Sequence, residues 1–143
     1  MVKKDIGAAG VVLNAQGHIL LVKQSYGKLN WELPGGAAEA NESIAETAQR
    51  EVKEETGLSV VAKHMTGVYY QPHNDSVHFV FFCELLADAP ISQPDSEVTE
   101  NGYWPVESLP RPISDFTIRR IQDALSGQRQ SLPTVILERQ WLD

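Results

Sequence analysis

Three glutamates near the middle of the chain, Glu51, Glu54 and Glu55, have a spacing that places carboxylates along one edge of a helix. At about 100° per residue, Glu51 and Glu55 lie one turn apart, with Glu54 beside them. Like charges this close destabilise a helix, and a divalent cation would remove the conflict. Carboxylate oxygens suit Mg²⁺ or Mn²⁺, and Mg²⁺ commonly shares its remaining positions with substrate phosphates. A solvated helix face is the alternative interpretation, because Glu is a good helix former and is easily exposed.

The helix that would carry these glutamates has well-marked ends. Ser43, followed three residues later by Glu46, forms a capping box, and Gly57 suits the left-handed conformation just past a helix end. We therefore predict a helix over 44–56. One arc of this helix is apolar and would pack on a sheet; its members are Ile44, Ala45, Ala48 and Val52.

Two neighbours of the glutamates would orient them. Arg50 has the helix spacing to pair with Glu46 and Glu54. Upstream, the Pro-Gly-Gly segment at 34–36 predicts a tight loop, in which a backbone carbonyl can approach a metal ion with no side chain in the way.

Composition limits the functions that such a site can serve. The chain has 143 residues, of which 42% are hydrophobic, as expected of one domain spanning 1–143. Its net charge of −7 argues against a protein that binds a nucleic acid polymer by neutralising phosphates, so an anionic ligand would need a bridging cation. No apolar run approaches the roughly 20 residues of a membrane span. The single cysteine, Cys83, excludes an internal disulfide and favours a buried thiol in a reducing, cytoplasmic compartment.

The remaining sequence predicts a sheet with helices packed on it, hence an α+β or α/β fold. The segments 6–14 and 18–25 flank a turn-like Asn-Ala-Gln-Gly and predict a hairpin. A second strand pair is predicted at 58–70 and 77–86, and a short strand closed by a turn at 102–110. Residues 114–127 predict a helix that Ser114 or Asp115 caps and Gly127 ends. The tail from residue 128 shows no recognisable chemistry.

A fixed pattern of residues runs through the acidic helix. The sequence matches G-x5-E-x7-R-E-U-x-E-E-x-G-U, where U is aliphatic, at Gly36, Glu42, Arg50, Glu51, Val52, Glu54, Glu55, Gly57 and Leu58. In this the chain resembles the Nudix (MutT-like) hydrolases, and its segments WELPGG and YWPVESLP resemble the family's flanking regions. Asn41 stands where many members have Gly, but Asn tolerates the left-handed conformation, so the turn is kept.

The resemblance implies a fold and a reaction. The fold would be the Nudix fold, a mixed β-sheet sandwiched between α-helices. The reaction would be Mg²⁺-dependent hydrolysis of a nucleoside diphosphate linked to another moiety, with Mn²⁺ as a substitute. By position, Glu51, Glu54 and Glu55 correspond to the metal-binding glutamates and Gly36 to the loop glycine at the metal. Arg50, with Glu42, matches residues that orient the loop and helix, and we place Arg50 with Glu54 among the catalytic residues.

The general base that activates water differs among members of the family. Some use a glutamate of the box, here Glu54, and others use an acid from a later loop. Glu97 and Glu100 are the candidates in that loop. Glu97 ranks first because it stands six residues before Tyr103, and similar members of the family often have Glu before an aromatic strand. A loop charge at a strand start is the alternative interpretation of Glu97.

The substrate is open among ADP-ribose-like compounds, dinucleoside polyphosphates and nucleoside triphosphates. Pro72 lies fifteen residues after Gly57, which resembles a spacing in ADP-ribose pyrophosphatases. Tyr69 and Tyr70 lie near where dinucleoside polyphosphate hydrolases often carry Tyr. These signals favour a small-molecule nucleotide but do not choose one.

Aromatic residues would bind the base of such a substrate by stacking. The candidates are Tyr26, Trp31 and Tyr70, with Phe82 beside them, although aromatic residues of a sheet protein more often belong to its core. The histidines are not clustered, which argues against zinc.

A different class of function shares these features: a catalytically silent Nudix-fold module that senses or binds a nucleotide. The complete box favours the enzyme, because a sensor has no need of all the metal-binding glutamates. Many relatives are dimers, so the resemblance implies a homodimer.

Overall fold

The part of the chain that the structure describes forms ten strands and two α-helices. The computed structural model describes residues 3–87, 97–128, 130 and 132–143. The elements in chain order are β1 (Asp5–Val12), β2 (Ile19–Gln24), β3 (Trp31–Glu32), β4 (Gly35–Ala37), α1 (Ile44–Thr56), β5 (Val60–Gln71), a 3₁₀ helix (Pro72–Asn74), β6 (Ser76–Leu85), β7 (Val98–Trp104), β8 (Ile113–Ser114), α2 (Asp115–Ser126), β9 (Thr134–Val135) and β10 (Trp141–Leu142).

The strands form two mixed sheets, and the two helices cover opposite faces of the first. That sheet has the order β4-β1-β6-β5-β9, and the second has the order β10-β8-β3-β2-β7. Side chains of β1 alternate between two cores: Ala8 and Val12 pack in the core under α1, while Ala9 and Val11 pack in the core under α2. This arrangement confirms the predicted mixed sheet between helices.

The hairpin predicted at 6–14 and 18–25 is wrong, although its turn exists. The amide of Gly17 donates to the carbonyl of Asn14, and a single bridge joins Leu13 to Ile19. Beyond that bridge the strands enter different sheets. A strand has two hydrogen-bonding edges, and those of β1 are filled by antiparallel β4 and parallel β6, which leaves no edge for β2.

The other predicted strands are confirmed. β5 and β6 form a long antiparallel pair. β7 covers the strand predicted at 102–110 but begins earlier, at Val98, and the amide of Ser108 donates to the carbonyl of Pro105 in the predicted turn. Cys83 is buried between β6 and α1, and burial raises the pKa of its thiol to about 11, which marks a packed thiol rather than a nucleophile.

Both helices have the predicted ends. α1 spans Ile44–Thr56 with both hydrogen bonds of the capping box present, and Gly57 adopts φ 76° after it. α2 is capped by the Ser114 side chain and followed by Gly127 at φ 72°. Asn41 has φ 63°, the left-handed conformation expected there. None of the helices in the described segments is long and apolar enough to span a bilayer.

The C-terminal tail folds back over the domain. β9 pairs in parallel with β5, and β10 pairs antiparallel with β8. The amide of Gln140 donates to the Asp115 carboxylate at the start of α2 (3.0 Å). These bonds hold the tail beside the strands that border the candidate site.

Candidate active site

The three box glutamates lie on one edge of α1 but differ in exposure. Glu55 is 2% exposed and Glu51 9%, whereas about half of the Glu54 side chain is exposed. The apolar arc of the helix, including Ala48 and Val52, is buried against the first sheet as predicted. The edge that carries the glutamates therefore runs from the core boundary into solvent.

Strand β4 supports the two buried carboxylates. The amide of Gly35 donates to Oε2 of Glu55 (2.8 Å). A Cβ on Gly36 would lie 2.6–2.9 Å from the carboxylate atoms of Glu51, so a larger residue there would displace that carboxylate. The resulting contact fixes the helix edge against the strand.

The predicted tight loop at 34–36 is wrong. Gly35 and Gly36 belong to β4, which pairs antiparallel with β1, and neither glycine has positive φ. Glycine is needed here for close approach: a Cβ on Gly35 would lie 2.5 Å from the carbonyl oxygen of Ala8. A Cβ added to Gly7 of β1 would lie 3.0 Å from the Gly36 carbonyl oxygen, so this oxygen lies beside β1. The role of the Gly36 carbonyl as a metal ligand stays a prediction.

Arg50 ties the acidic residues together. Its Nε donates to Oε2 of Glu42 (2.6 Å) and its Nη2 to Oε1 of the same carboxylate (3.1 Å). Its Nη1 donates to Oε1 of Glu51 (2.9 Å) and to Oε2 of Glu54 (3.2 Å). The predicted pair with Glu54 is confirmed. The pair with Glu46 is wrong, because that carboxylate accepts the amide of Ser43 in the capping box.

This network offsets much of the charge crowding expected from the sequence. Hydrogen bonds from Arg50 and Thr47 hold the pKa of Glu42 well below its usual value, at about 2. The pKa of Glu51 is raised, chiefly by burial; the guanidinium of Arg50 opposes the rise, and the charges of Glu54 and Glu97 add to it. A further positive charge beside Glu51 would therefore favour its ionised form.

The donor set fits a hard divalent cation. Carboxylate oxygens of Glu51, Glu54 and Glu55 come from one helix edge, and Nη1 of Arg50 already lies between two of these carboxylates. Within the described residues no three acidic, histidine or cysteine side chains stand close enough together to form a finished metal site. Glu51 and Glu54 instead both accept hydrogen bonds from Arg50.

Glu97 and Glu100 face different surroundings. Glu97 lies close enough to Glu51 and Tyr26 for its charge to raise the pKa of both groups, and its carbonyl accepts the amide of Ser25. Glu100 pairs across the strands with Lys23 (3.6 Å). Of the two predicted bases, Glu97 is the one whose charge acts on a box glutamate, Glu51.

The aromatic candidates separate by burial. Tyr26 is 61% exposed and lines the cleft beside β4. Trp31 is 6% exposed and packs edge-on against Trp104 in the core (ring centroids 5.3 Å apart). A buried ring cannot stack on a ligand, so the position of Trp31 does not support its predicted role in substrate binding.

Tyr70 and Phe82 make contacts outside this cleft. The Tyr70 hydroxyl donates to Asp75 (2.8 Å), with the Lys4 ammonium 5.0 Å from its ring centroid. Phe82 stacks on His64, with centroids 5.4 Å apart. Neither ring lines the cleft as it stands, so a substrate-binding role for Tyr70 stays a prediction.

The cleft has a volume of about 520 Å³ and extends from β4 to a polar inner end. Residues there that the sequence did not indicate share hydrogen-bonding or cationic side chains: Gln24, Asn30, Glu32, Gln71, Asn74, Ser76, His78, Arg120 and Arg139. Arg120 was visible only as part of a helix, and Arg139 belongs to the tail that showed no chemistry. No sequence signal links residues this far apart.

The whole chain is similar to proteins of one family. The profile of the NUDIX domain matches residues 3–124. A putative 8-oxo-dGTP diphosphatase of Bacillus subtilis is 42% identical over 77% of this chain and 78% of its own length. Phosphatase NudJ of Escherichia coli K12 is 32% identical over 94% of this chain and 92% of its own. The crystal structure of an ADP-ribose pyrophosphatase from Streptococcus suis superposes with TM-score 0.74 at 24% identity, covering 95% and 100% of the two chains.

Proposed function

This chain belongs to the Nudix family, and we propose that it is a Mg²⁺-dependent pyrophosphatase that cleaves a nucleoside diphosphate derivative. As a Nudix hydrolase it acts on nucleotide pyrophosphates; the metal and the particular substrate are the parts we propose. Mn²⁺ is the expected substitute, because it takes the same oxygen ligands.

The observation that carries this proposal is the joint support of the box glutamates beside a cleft. Glu55 is held by the Gly35 amide, and Glu51 and Glu54 share one nitrogen of Arg50. Gly36 lets strand β4 approach the Glu51 carboxylate closely, a contact that a helix edge with only a solvated surface would not make. The same observation disfavours the silent binding module.

Each residue of the site has a role in this reaction. Mg²⁺, when bound, would neutralise pyrophosphate oxygens and support the leaving phosphate. Glu51, Glu54 and Glu55 would hold it, and Arg50 orients two of these carboxylates. Glu97, next to Glu51, would accept the proton of the attacking water at its carboxylate.

The substrate classes to test follow from the relatives. Their names include an 8-oxo-dGTP diphosphatase and an ADP-ribose pyrophosphatase, so a nucleoside triphosphate and ADP-ribose come first. Diadenosine polyphosphates and nucleotide sugars complete the panel. The exposed ring of Tyr26 is the stacking group in the cleft that is available to a base.

Hydrolysis of this panel with and without Mg²⁺ tests the proposal. We expect phosphate release, after addition of an auxiliary phosphatase, for at least one class, and near-complete loss in EDTA or in Glu54→Gln, which removes a ligand charge. Glu84→Gln is the matched control, since Glu84 is an exposed carboxylate paired with Lys63 away from the site. Nucleotide binding with no turnover under Mg²⁺ or Mn²⁺ would contradict the enzyme and favour the silent module.

Three further expectations accompany this function. We propose that residues 1–143 form a single Nudix domain, that it works in the cytoplasm, and that it forms a homodimer. Its partner is a small-molecule nucleotide; the acidic charge of −7 still argues against a nucleic acid polymer. Light scattering of the purified protein measures the oligomeric state directly.

A further inference from the structure

Two arginines from distant parts of the chain meet at the inner end of the cleft. Arg120 comes from α2 and Arg139 from the tail between β9 and β10. The guanidinium carbons lie 4.2 Å and 5.1 Å, respectively, from the ring centroid of Phe116. Both side chains line the cleft that begins at Gly35 and Gly36. The cleft lining thus combines the glycines of β4 with two cationic side chains.

The carboxylate of Glu32 acts on both arginines, and one of its oxygens already accepts three hydrogen bonds. Oε1 of Glu32 accepts hydrogen bonds from Nη2 of Arg120, from the Thr117 hydroxyl (2.8 Å) and from the Leu33 amide (3.0 Å). Arg120 is 4% exposed, and its buried Nε has no hydrogen-bond acceptor within the described segments. Glu32 therefore pairs directly with Arg120, while its charge also acts on Arg139.

Among the described residues, Arg139 hydrogen-bonds to a neutral side chain. With the Gln71 amide oriented so that its nitrogen donates to Ser76, its oxygen accepts hydrogen bonds from Nε and Nη2 of Arg139 (both 3.2 Å). The ion pairs of the described residues do not include Arg139. An amide oxygen carries no net charge, so this hydrogen bond does not neutralise the guanidinium.

The charges and burial around Arg139 and His78 also indicate a cationic cleft lining. Burial lowers the pKa of Arg139, the charge of Arg120 lowers it further, and Glu32 and Asp115 act against both. Burial and the two arginines also lower the pKa of His78 to about 4, so this imidazole is neutral near pH 7. The cleft lining therefore holds two guanidinium groups, of which Arg120 pairs with Glu32 and Arg139 forms no ion pair within the described residues.

We propose that Arg139, with Arg120 behind it, forms an anion subsite that binds a second phosphate of the substrate, away from the scissile bond. The inference rests on the proposed function for the identity of its ligand. A guanidinium presents paired N–H donors that match a phosphate, and the ligand would supply the direct anionic partner that Arg139 lacks among the described residues. That phosphate has two sources: the end of a polyphosphate chain, or an ester elsewhere on the substrate.

Binding without metal separates this subsite from catalysis. Calorimetry in EDTA compares ADP with adenosine 3′,5′-bisphosphate, which carry the same number of phosphates in different places. Arg139→Gln should weaken binding of at least one of them by about tenfold, the usual loss for a charge-assisted hydrogen bond. Arg139→Lys keeps the charge but loses the paired donors, so an intermediate affinity is expected. Arg119→Gln, an exposed neighbour of Arg120 on α2, is the matched control and should bind both ligands as the wild type does.

The pattern of losses identifies the source of the phosphate. Weaker binding of ADP alone assigns the subsite to the polyphosphate chain, and weaker binding of the bisphosphate alone assigns it to the ester. Equal affinities of wild type, Arg139→Gln and Arg119→Gln for both ligands would overturn the proposal, as would a wild type that binds neither.

A structural effect of Arg139→Gln on the tail is measured separately. The Ile136 amide donates to the carbonyl of Tyr70, and the Gln140 amide to Asp115, so hydrogen exchange at these two amides reports whether the tail stays seated. Lost affinity with protected amides supports the subsite; affinity lost only together with that protection would overturn it. Intact metal-free binding in a protein that hydrolyses nothing would instead contradict the proposed function and leave the subsite standing.

Discussion

The imidazole of His78 makes the stability of this protein sensitive to mild acid. Its pKa falls from an ordinary 6.5 to about 4, because burial and the charges of Arg120 and Arg139 oppose a third positive charge in the cleft. The folded state therefore binds this proton less readily than the unfolded chain does. The contribution of neutral His78 to folding is complete above about pH 6.5 and is lost as the pH falls through that value toward about 4.

The size of the effect follows from the difference between the two pKa values. Each unit of difference corresponds to about 1.4 kcal/mol, and linkage between 6.5 and about 4 gives a loss of about 2.5 kcal/mol on going from about pH 7.5 to about pH 4.5. For a domain of this length such a loss is a large fraction of the free energy of unfolding. Other groups also titrate in this range, so the comparison must be between matched variants.

Urea unfolding at these two pH values measures the effect, with buffers that contain no phosphate so that the arginines stay unliganded. In His78→Gln the drop in unfolding free energy between the two pH values should be smaller than in the wild type by about 2.5 kcal/mol. His73→Gln, at an exposed histidine after β5, should keep the drop of the wild type. A drop in His78→Gln equal to that of the wild type would refute the reasoning, since the imidazole would then not be held neutral by the arginines.

Three further predictions concern the acidic edge. If Glu97 is the base, Glu97→Gln should lower kcat about 10²–10⁴-fold with little change in the Mg²⁺ concentration needed for activity. The kcat of Glu100→Gln should stay within a few fold of the wild type. Equal effects of the two substitutions in steady-state assays would assign the base to a box glutamate. Gly36→Ala should raise the Mg²⁺ concentration needed for half-maximal activity, because its Cβ would displace the Glu51 carboxylate; unchanged metal dependence would remove that contact from the site. In the metal-free protein Glu54→Gln should lower the free energy of unfolding by about 0.3–0.5 kcal/mol in thermal or urea unfolding, since an exposed helix ion pair is lost. A gain in stability would instead mean that repulsion among the glutamates outweighs this ion pair.

Local features of the structure were predictable because their causes are local. The capping box at Ser43 and Glu46 and the left-handed Gly57 fix the ends of α1 through contacts within a few residues. The arc containing Ala48 and Val52 follows from helix periodicity alone. The order of glutamates along the edge is likewise a property of one helix, so the sequence determined the acidic edge and its relation to the core.

Pairings across the chain were not predictable in the same way. A turn near Asn14 has the same local sequence whether its flanking strands pair or separate, and only the occupation of both edges of β1 by β4 and β6 decides that they separate. The partners of Arg50 show the same limit. Helix spacing identified Glu54, but Glu42 binds Arg50 more closely from outside the helix, and this depends on how the preceding turn folds back.

The sequence by itself determined the family, the acidic helix edge and the residue types able to hold a divalent cation. Tertiary structure alone decided which side chains face the cleft: it placed Trp31 in the core, left Tyr26 exposed and brought Arg139 from the tail to Arg120. The physical reason is the range of the interactions. Capping, periodicity and charge spacing act within one or two turns of the chain, whereas burial and the meeting of Arg120 with Arg139 depend on packing between elements far apart in sequence.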